Sequence, residues 1–380
     1  MIGKTFSGLE EVLAGELREL GAKNIRIITR GIKFDGNQEI LYKANYYCRT
    51  AIRFLKPIAD FSINNETELY KKAGQVNWGN YLDVNDTLAI DAVVSQSSLK
   101  HSQYVALKTK DAIVDQFRRK FNKRPSVNTI DPTLRIHVHI RKNHCTISLD
   151  SSGSSLHLRG YRIKTITAPI NEVLAAGLIM LSGWDKRSHF IDPMCGSGTI
   201  VIEAAMIAQN IPSGKFRDSF GFLHWKDYDA ELWNKIQKKT NNLARELSYK
   251  IVGLDISDKA VHVAKQNIIS AGLQQVIEIR RESIDNSQPP KDHGIMITNP
   301  PYGERIQTEN IIELYKKIGD SLKQQYTGYE AWVLSSDFNA LKYIGLRPSR
   351  KIKVYNGQLE CKFVKFDIYS GSKKNKSICD

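Results

Sequence analysis

Phe190-Ile191-Asp192-Pro193-Met194-Cys195-Gly196-Ser197-Gly198-Thr199 reads as an apolar strand end that passes through an acidic residue and two glycines into a helix spanning Ile200–Ala208. Glycine lets the backbone turn sharply and approach a ligand closely, and the helix N-terminus that follows favours negative charge. In an open α/β sheet such a turn is the crevice where ligands sit. A phosphate loop would carry Lys after Gly198, and none is there; a dinucleotide site would carry a third glycine, also absent. An acidic residue ahead of Gly-x-Gly suits a ligand with an amino-acid end. Asp192 would help receive its ammonium, with Pro193, Cys195, Gly196, Ser197, Gly198 and Thr199 forming the loop around it.

Strands and helices alternate on both sides of this turn. Helix Asn171–Leu181 precedes it; strand Lys250–Leu254, helix Asp258–Ala271, strands Val276–Ile279 and Ile295–Thr298, helix Asn310–Lys323 and strand Ala331–Ser335 follow. That order predicts a doubly wound, mostly parallel sheet. Lys351–Tyr355 and Cys361–Tyr369 flank Asn356-Gly357 and predict an antiparallel hairpin at its edge. Asp255, with Ile256 after it, ends the strand after the glycine loop and is placed to accept both hydroxyls of a ribose. It lies farther from the loop than the roughly 20 residues of a dinucleotide fingerprint. The excess is a segment from about Ile211 to Tyr249, in which Trp225 and Trp233 read as packing anchors.

A second chemical stretch, Asn299-Pro300-Pro301-Tyr302-Gly303, follows the apolar run Gly294–Thr298. Pro300 and Pro301 lack N–H groups, so they stop the strand ladder and leave rigid, acceptor-only backbone. The Asn299 side-chain oxygen and the Pro300 carbonyl can both accept from an exocyclic amine, turning the nitrogen lone pair toward an electrophile. Tyr302 can stack on the attached base, a contact of roughly 1–3 kcal/mol. Glu304 and Arg305 beyond it could touch substrate or pair with one another.

Residues 1–44 read as a small α+β element, with a helix over Gly8–Leu20 and strands at Ile25–Thr29 and Gly31–Phe34. Residues 45–156 form a second domain containing strand Leu88–Val94 and helix Leu107–Phe121. In the same domain Arg135–Arg141 alternates as a half-buried strand, with Cys145–Leu149 as its hairpin partner. A helix running from Lys108 into Lys123 carries Lys108, Lys110, Arg118, Arg119, Lys120, Lys123 and Arg124 opposite Ile113, Val114, Phe117 and Phe121. Its basic face suits phosphates. Gly153 and the neighbouring serines, then Leu158–Arg162, read as a linker into the domain 157–370. The lysine-rich tail 371–380 reads as disordered.

The net charge of +15 points to a polyanionic partner. Residues 1–165 carry 26 Lys+Arg against 16 Asp+Glu, while 166–380 carry 29 against 24, so the anion-binding surface is expected in the N-terminal part. No stretch of about 18 apolar residues appears, and a cytoplasmic protein is expected. The five cysteines show no CxxC pair, and His137 and His139 have no carboxylate ligand nearby, so neither zinc nor a disulfide framework is expected. Cys195 has no neighbouring His to activate it and reads as a small buried hydrophobe.

Several motifs together resemble the THUMP-domain N2-guanine RNA methyltransferases, the group that contains the bacterial large-subunit ribosomal RNA enzyme. They are Gly160-Tyr161-Arg162, Thr167–Glu172 with Leu174-Ala175-Ala176, the loop Asp192–Thr199, the Phe220–Trp225 segment and Asn299–Arg305. The resemblance implies an N-terminal ferredoxin-like element, a THUMP RNA-binding domain and a Rossmann-like class I methyltransferase domain. It implies S-adenosylmethionine as methyl donor, Asn299, Pro300, Pro301 and Tyr302 as the catalytic group, and Arg162 among the RNA-binding residues. It also implies a residue beside the adenine after strand Val276–Ile279, from Glu282, Ser283 or Asp285, and no metal. The expected substrate is a guanine in RNA, 23S rRNA first, with tRNA or an adenine N6 amine as alternatives. A non-catalytic RNA-binding assembly factor is the alternative of another class.

Overall fold

The computed structural model describes residues 1–166, 169–240, 247–301 and 308–369. Two compact units form: residues 1–5, 14–156 and 217–238 in one, and 6–13, 157–216 and 239–369 in the other.

The first unit is built on β1 (Ile2–Lys4), α1 (Glu10–Glu19), β2 (Lys23–Ile28), β3 (Gly31–Asp35), α2 (Gln38–Tyr47), β4 (Arg53–Ser62), α3 (Glu66–Ala73), β5 (Thr87–Ser95), α4 (Ser102–Phe121), β6 (Ser126–Val127), β7 (Leu134–Arg141) and β8 (His144–Asp150). These eight strands join in one sheet, in the order β2-β3-β1-β4-β8-β7-β5-β6. β4 pairs antiparallel with both β1 and β8, so the sheet of the N-terminal element continues unbroken into that of the following domain. Asn37 and Asn65 cap α2 and α3 by accepting from backbone amides three residues on.

Two expectations are corrected here. β7 is a central strand between β5 and β8, and its His137 is buried along with Ile136, Val138 and Ile140. The alternation otherwise holds, with Arg135 and His139 partly exposed and Arg141 exposed, so only His137 departs from the half-buried strand expected. α4 begins at Ser102 and stops at Phe121, because Asn122 turns left-handed (φ 51°) and caps it. Lys123 and Arg124 therefore fall past its end, and Phe121 is half exposed rather than packed.

In the second unit α5 (Glu172–Ser182), β9 (His189–Asp192), α6 (Thr199–Ala208), β10 (Ile251–Asp255), α8 (Asp258–Ser270), β11 (Ile277–Arg281), β12 (Gly294–Thr298), α9 (Thr308–Gln325), β13 (Tyr329–Ser335), β14 (Arg350–Asn356) and β15 (Leu359–Asp367) follow in chain order; α7 (Ala230–Thr240), between α6 and β10 in the chain, belongs almost wholly to the first unit. The sheet order is β11-β10-β9-β12-β13-β15-β14, parallel through β13 and antiparallel in the closing hairpin. Phe190, Ile251 and Ile295 point into one apolar layer, and their neighbours Ile191, Val252 and Met296 into the other. Such strands are covered on both faces, which is why they read as continuous apolar runs.

The segment expected to be a linker is tightly held. The Ser152 hydroxyl donates to the Asn45 side chain, and within the second unit Arg159 and Tyr161 are buried against Glu203. Gly160 sits at φ +99°, where a Cβ would meet the Phe216 carbonyl oxygen at 1.8 Å. Residues 217–238, which lie inside the span expected for the catalytic domain, fold with the first unit. Phe222 stacks on Tyr42 at 4.2 Å, and Trp233 packs edge-on to Tyr46 and Phe222. Arg217 donates to the carbonyls of Ser152, Ser154 and Ser155. Trp225 and Trp233 are both buried.

Candidate active site

β9 lies between β10 and β12, so the strand order reverses at it, and the carboxyl ends of these strands deliver Asp192, Asp255 and Asn299 to one cavity of about 550 Å³. That volume is within the roughly 300–1,000 Å³ of small-molecule sites.

The glycine loop is fixed by its own amides. Met194 N–H donates to Asp192 Oδ1 (3.1 Å), Cys195 N–H to the Leu254 carbonyl (2.8 Å), Gly196 N–H to Asp255 Oδ2 (3.0 Å) and Gly198 N–H to the Cys195 carbonyl (2.8 Å). Gly198 turns at φ +83°, with α8 so close that a Cβ would stand 3.2 Å from that of Ala264. It shapes the loop from behind, while Pro193, Cys195, Gly196, Ser197 and Thr199 line the cavity. Cys195 is buried beside Gly253, and burial holds its thiol well above the usual range, as suits a packed side chain.

Asp192 is buried, and burial pushes its carboxyl up to about 7, against the pull of the Met194 amide. Asp255 also accepts from Ser257 N–H at 2.9 Å, and Ile256 beside it lines the cavity. Of the residues after β11, Ser283 and Ile284 line the cavity, and the Ser283 hydroxyl donates to the Asp285 carboxylate. Glu282 turns toward Arg280, at 3.7 Å. Among the described residues neither Glu282 nor Asp285 faces the cavity, so the polar group there is a hydroxyl.

Asn299 and Pro301 line the cavity on the β12 side, with Pro300 buried behind them. Asn299 Oδ1 is shielded from solvent and accepts no hydrogen bond among the described residues. Tyr302, Gly303, Glu304 and Arg305, with Thr167 and Ala168, lie outside the described residues.

Arg162 is placed differently from its expected role at an RNA surface. Its guanidinium donates to Glu172 Oε1 (2.7 Å), Ser197 Oγ (3.3 Å), Thr199 Oγ1 (2.8 Å) and the Ile170 carbonyl (3.1 Å), bracing the glycine loop from within. Asn267 of α8 adds a second brace, donating to the Ser197 carbonyl at 3.1 Å. Nothing in the local sequence marks Asn267. Asn310, Glu313, Leu314 and Lys317 of α9 also line the cavity; their spacing puts them on one helix face, so periodicity could have found them.

The cations of α4 have local partners. Lys110 pairs with Asp111 at 2.9 Å and Arg118 with Asp115 at 3.1 Å, while Arg119 donates to the Asp115 carbonyl. Lys108 stands over the Tyr70 ring and Lys120 over that of Phe121.

A doubly wound sheet with a glycine loop, an acidic strand end and an Asn-Pro-Pro strand end around its switch point defines a Rossmann-like class I methyltransferase domain. Residues 159–365 match the RMKL-like methyltransferase domain, 64–150 the THUMP domain and 1–55 the RlmL ferredoxin-like domain. The chain belongs to the RMKL-like methyltransferase family.

It is 38% identical over 364 residues to slr0064 of Synechocystis sp. PCC 6803, covering 95% of each chain. It is also 38% identical over 374 residues to the ribosomal RNA large subunit methyltransferase K/L of Syntrophotalea carbinolica, covering 95% of this chain and 52% of that one. The chain thus spans about half the length of the K/L relatives it matches. The structure of SMU.472 complexed with SAH superposes with a TM-score of 0.88 at 29% identity, covering 98% of both chains.

Proposed function

We propose that this chain transfers a methyl group from S-adenosylmethionine to the exocyclic N2 amine of a guanine in RNA, with large-subunit ribosomal RNA as substrate. The observation that carries this reading is the buried Oδ1 of Asn299, which has no partner among the described residues, at the cavity that Asp192, Gly196 and Asp255 line. A buried acceptor without a donor costs about 1–3 kcal/mol, which an incoming amine recovers. The names of the K/L relatives, the match to a THUMP domain and the basic N-terminal part support RNA over other amine carriers.

The residues present fit the donor. The buried Asp192 carboxyl suits an ammonium, Asp255 a pair of ribose hydroxyls, and Ser283 with Ile284 a purine edge. When bound, S-adenosylmethionine supplies an electrophilic methyl on a sulfonium. Asn299 Oδ1 and the Pro300 carbonyl accept from the N2 amine and aim its lone pair, and Tyr302 holds the base by stacking. A guanine must leave its stack to reach them. Orientation of this kind is worth several kcal/mol of barrier.

The test is incubation with methyl-labelled S-adenosylmethionine and separate pools of rRNA, tRNA and DNA, followed by nucleoside analysis. Label in N2-methylguanosine of rRNA is the expected result. Label confined to DNA would overturn the RNA substrate. Calorimetry that detects no S-adenosylmethionine binding would favour a non-catalytic assembly factor.

A further inference from the structure

The first unit's eight-stranded sheet has two chemically opposite faces. Ile32, Phe34, Phe54, Ile136, Val138, Ile140, Ile147 and Leu149 alternate onto one face and are all buried, with α2 packed on β4 and α4 on β5. Strand register assigns the other face. Arg26 is opposite Lys33, Lys4 opposite Arg53, and Arg141 opposite His144, with Arg135, His137 and His139 in line along β7.

Four acids share that face: Asp91 pairs with Arg135 at 3.1 Å, Asp150 with Arg53 and Asp60 with His144, while Asp35, beyond Lys33 on β3, accepts from the Asn24 side chain at 2.7 Å. Lys4, Arg26, Lys33 and Arg141 make no ion pair among the described residues, and the last three are exposed. Positive charge is felt within the face. The Lys4 ammonium is held below its usual range by burial first, then by Arg30 and Lys33, and His139 is lowered by burial and then by Lys4 and Arg141. Like charges gathered without counter-ions destabilise a free protein, and a polyanion relieves them.

We propose that this open sheet face, and not the face of α4, grips the RNA through its phosphates. The inference rests on the reading of RNA as the substrate. None of the residues on the face is Phe, Tyr or Trp, so it has no stacking platform and addresses backbone charge rather than bases. The cations of α4, by contrast, share their helix with Asp111 and Asp115.

The test uses the full chain and a fluorescently labelled fragment of large-subunit rRNA, with affinity measured as a function of salt. Changing Arg26→Ala, Lys33→Ala and Arg141→Ala together should lower the slope of log K against log salt by roughly two to three, at about 0.7–0.9 for each phosphate no longer neutralised. Affinity at physiological salt should fall by about tenfold or more, with S-adenosylmethionine binding unchanged. Arg118→Ala with Lys120→Ala and Lys123→Ala should change the slope less. A sheet variant that binds like the parent, or a loss confined to the α4 variant, overturns the proposed surface while leaving the RNA reading intact. No RNA binding by the unaltered chain overturns both. Should the triple variant fail to fold, Arg141→Glu alone should lower the slope by about one, and an unchanged slope there sinks the proposal.

Discussion

The Gly196 amide donates to Asp255 Oδ2 at 3.0 Å, so a loop residue and a strand end 59 positions apart form one unit. The same carboxylate accepts from Ser257 N–H with its other oxygen, leaving its remaining lone pairs for a ligand. Asp255 thus holds the glycine loop and lines the pocket.

Asp255→Ala should weaken S-adenosylmethionine binding by about tenfold or more, since it removes a charged acceptor worth about 1.5–3 kcal/mol per hydrogen bond. It should also loosen the glycine loop. Calorimetric titration measures the first effect and amide exchange at Gly196 the second; unchanged affinity would contradict the ribose assignment.

Asn299→Ala should lower methyl transfer by about 10²–10³-fold, the cost of removing one preorganised polar group at a reacting centre. Affinity for S-adenosylmethionine and for RNA should stay within about twofold. Single-turnover kinetics separates the two, and normal turnover would remove Asn299 from the catalytic group.

Asp192 gives a pH signature. Its folded carboxyl titrates near 7 against an ordinary 3.8, so the folded state holds a proton that the unfolded state has released across that window. Its contribution is fully present below the unfolded value and is lost as pH rises through about 7. In the absence of ligand, thermal melts from pH 5 to 8 should show this component, and Asp192→Asn should flatten it. An ammonium arriving at Asp192 should displace its proton, so binding heats below pH 7 should vary with the buffer's ionisation enthalpy.

Arg162→Ala should destabilise the second unit by about 3–5 kcal/mol, because it leaves Glu172 buried without its partner. Arg162→Lys keeps the charge but cannot reproduce the fork to Glu172, Ser197 and Thr199, so it should recover only part of that stability. Full stability in both variants, read by chemical denaturation, would show that the glycine loop needs no brace.

The doubly wound sheet was legible because fully buried parallel strands leave continuous apolar runs, as at 190–191, 251–254 and 295–298. Asp192, Asp255 and Asn299 were legible because each stands where such a run stops, and strand ends of one sheet necessarily converge. Sequence order by itself also carried the closing hairpin, through Asn356-Gly357. Other features depended on partners distant in the chain. Arg162 reads as a surface cation until Glu172, Ser197 and Thr199 close around its guanidinium. Residues 217–238 read as an excursion of the catalytic domain until Trp233 meets Tyr42 and Tyr46. Which of Glu282, Ser283 and Asp285 lines the cavity depends on how the segment after β11 turns. Local pattern records the period and the end of an element. Which charge is neutralised, which face stays open and which side chain enters a cavity depend on long-range packing, and only the tertiary structure decided them.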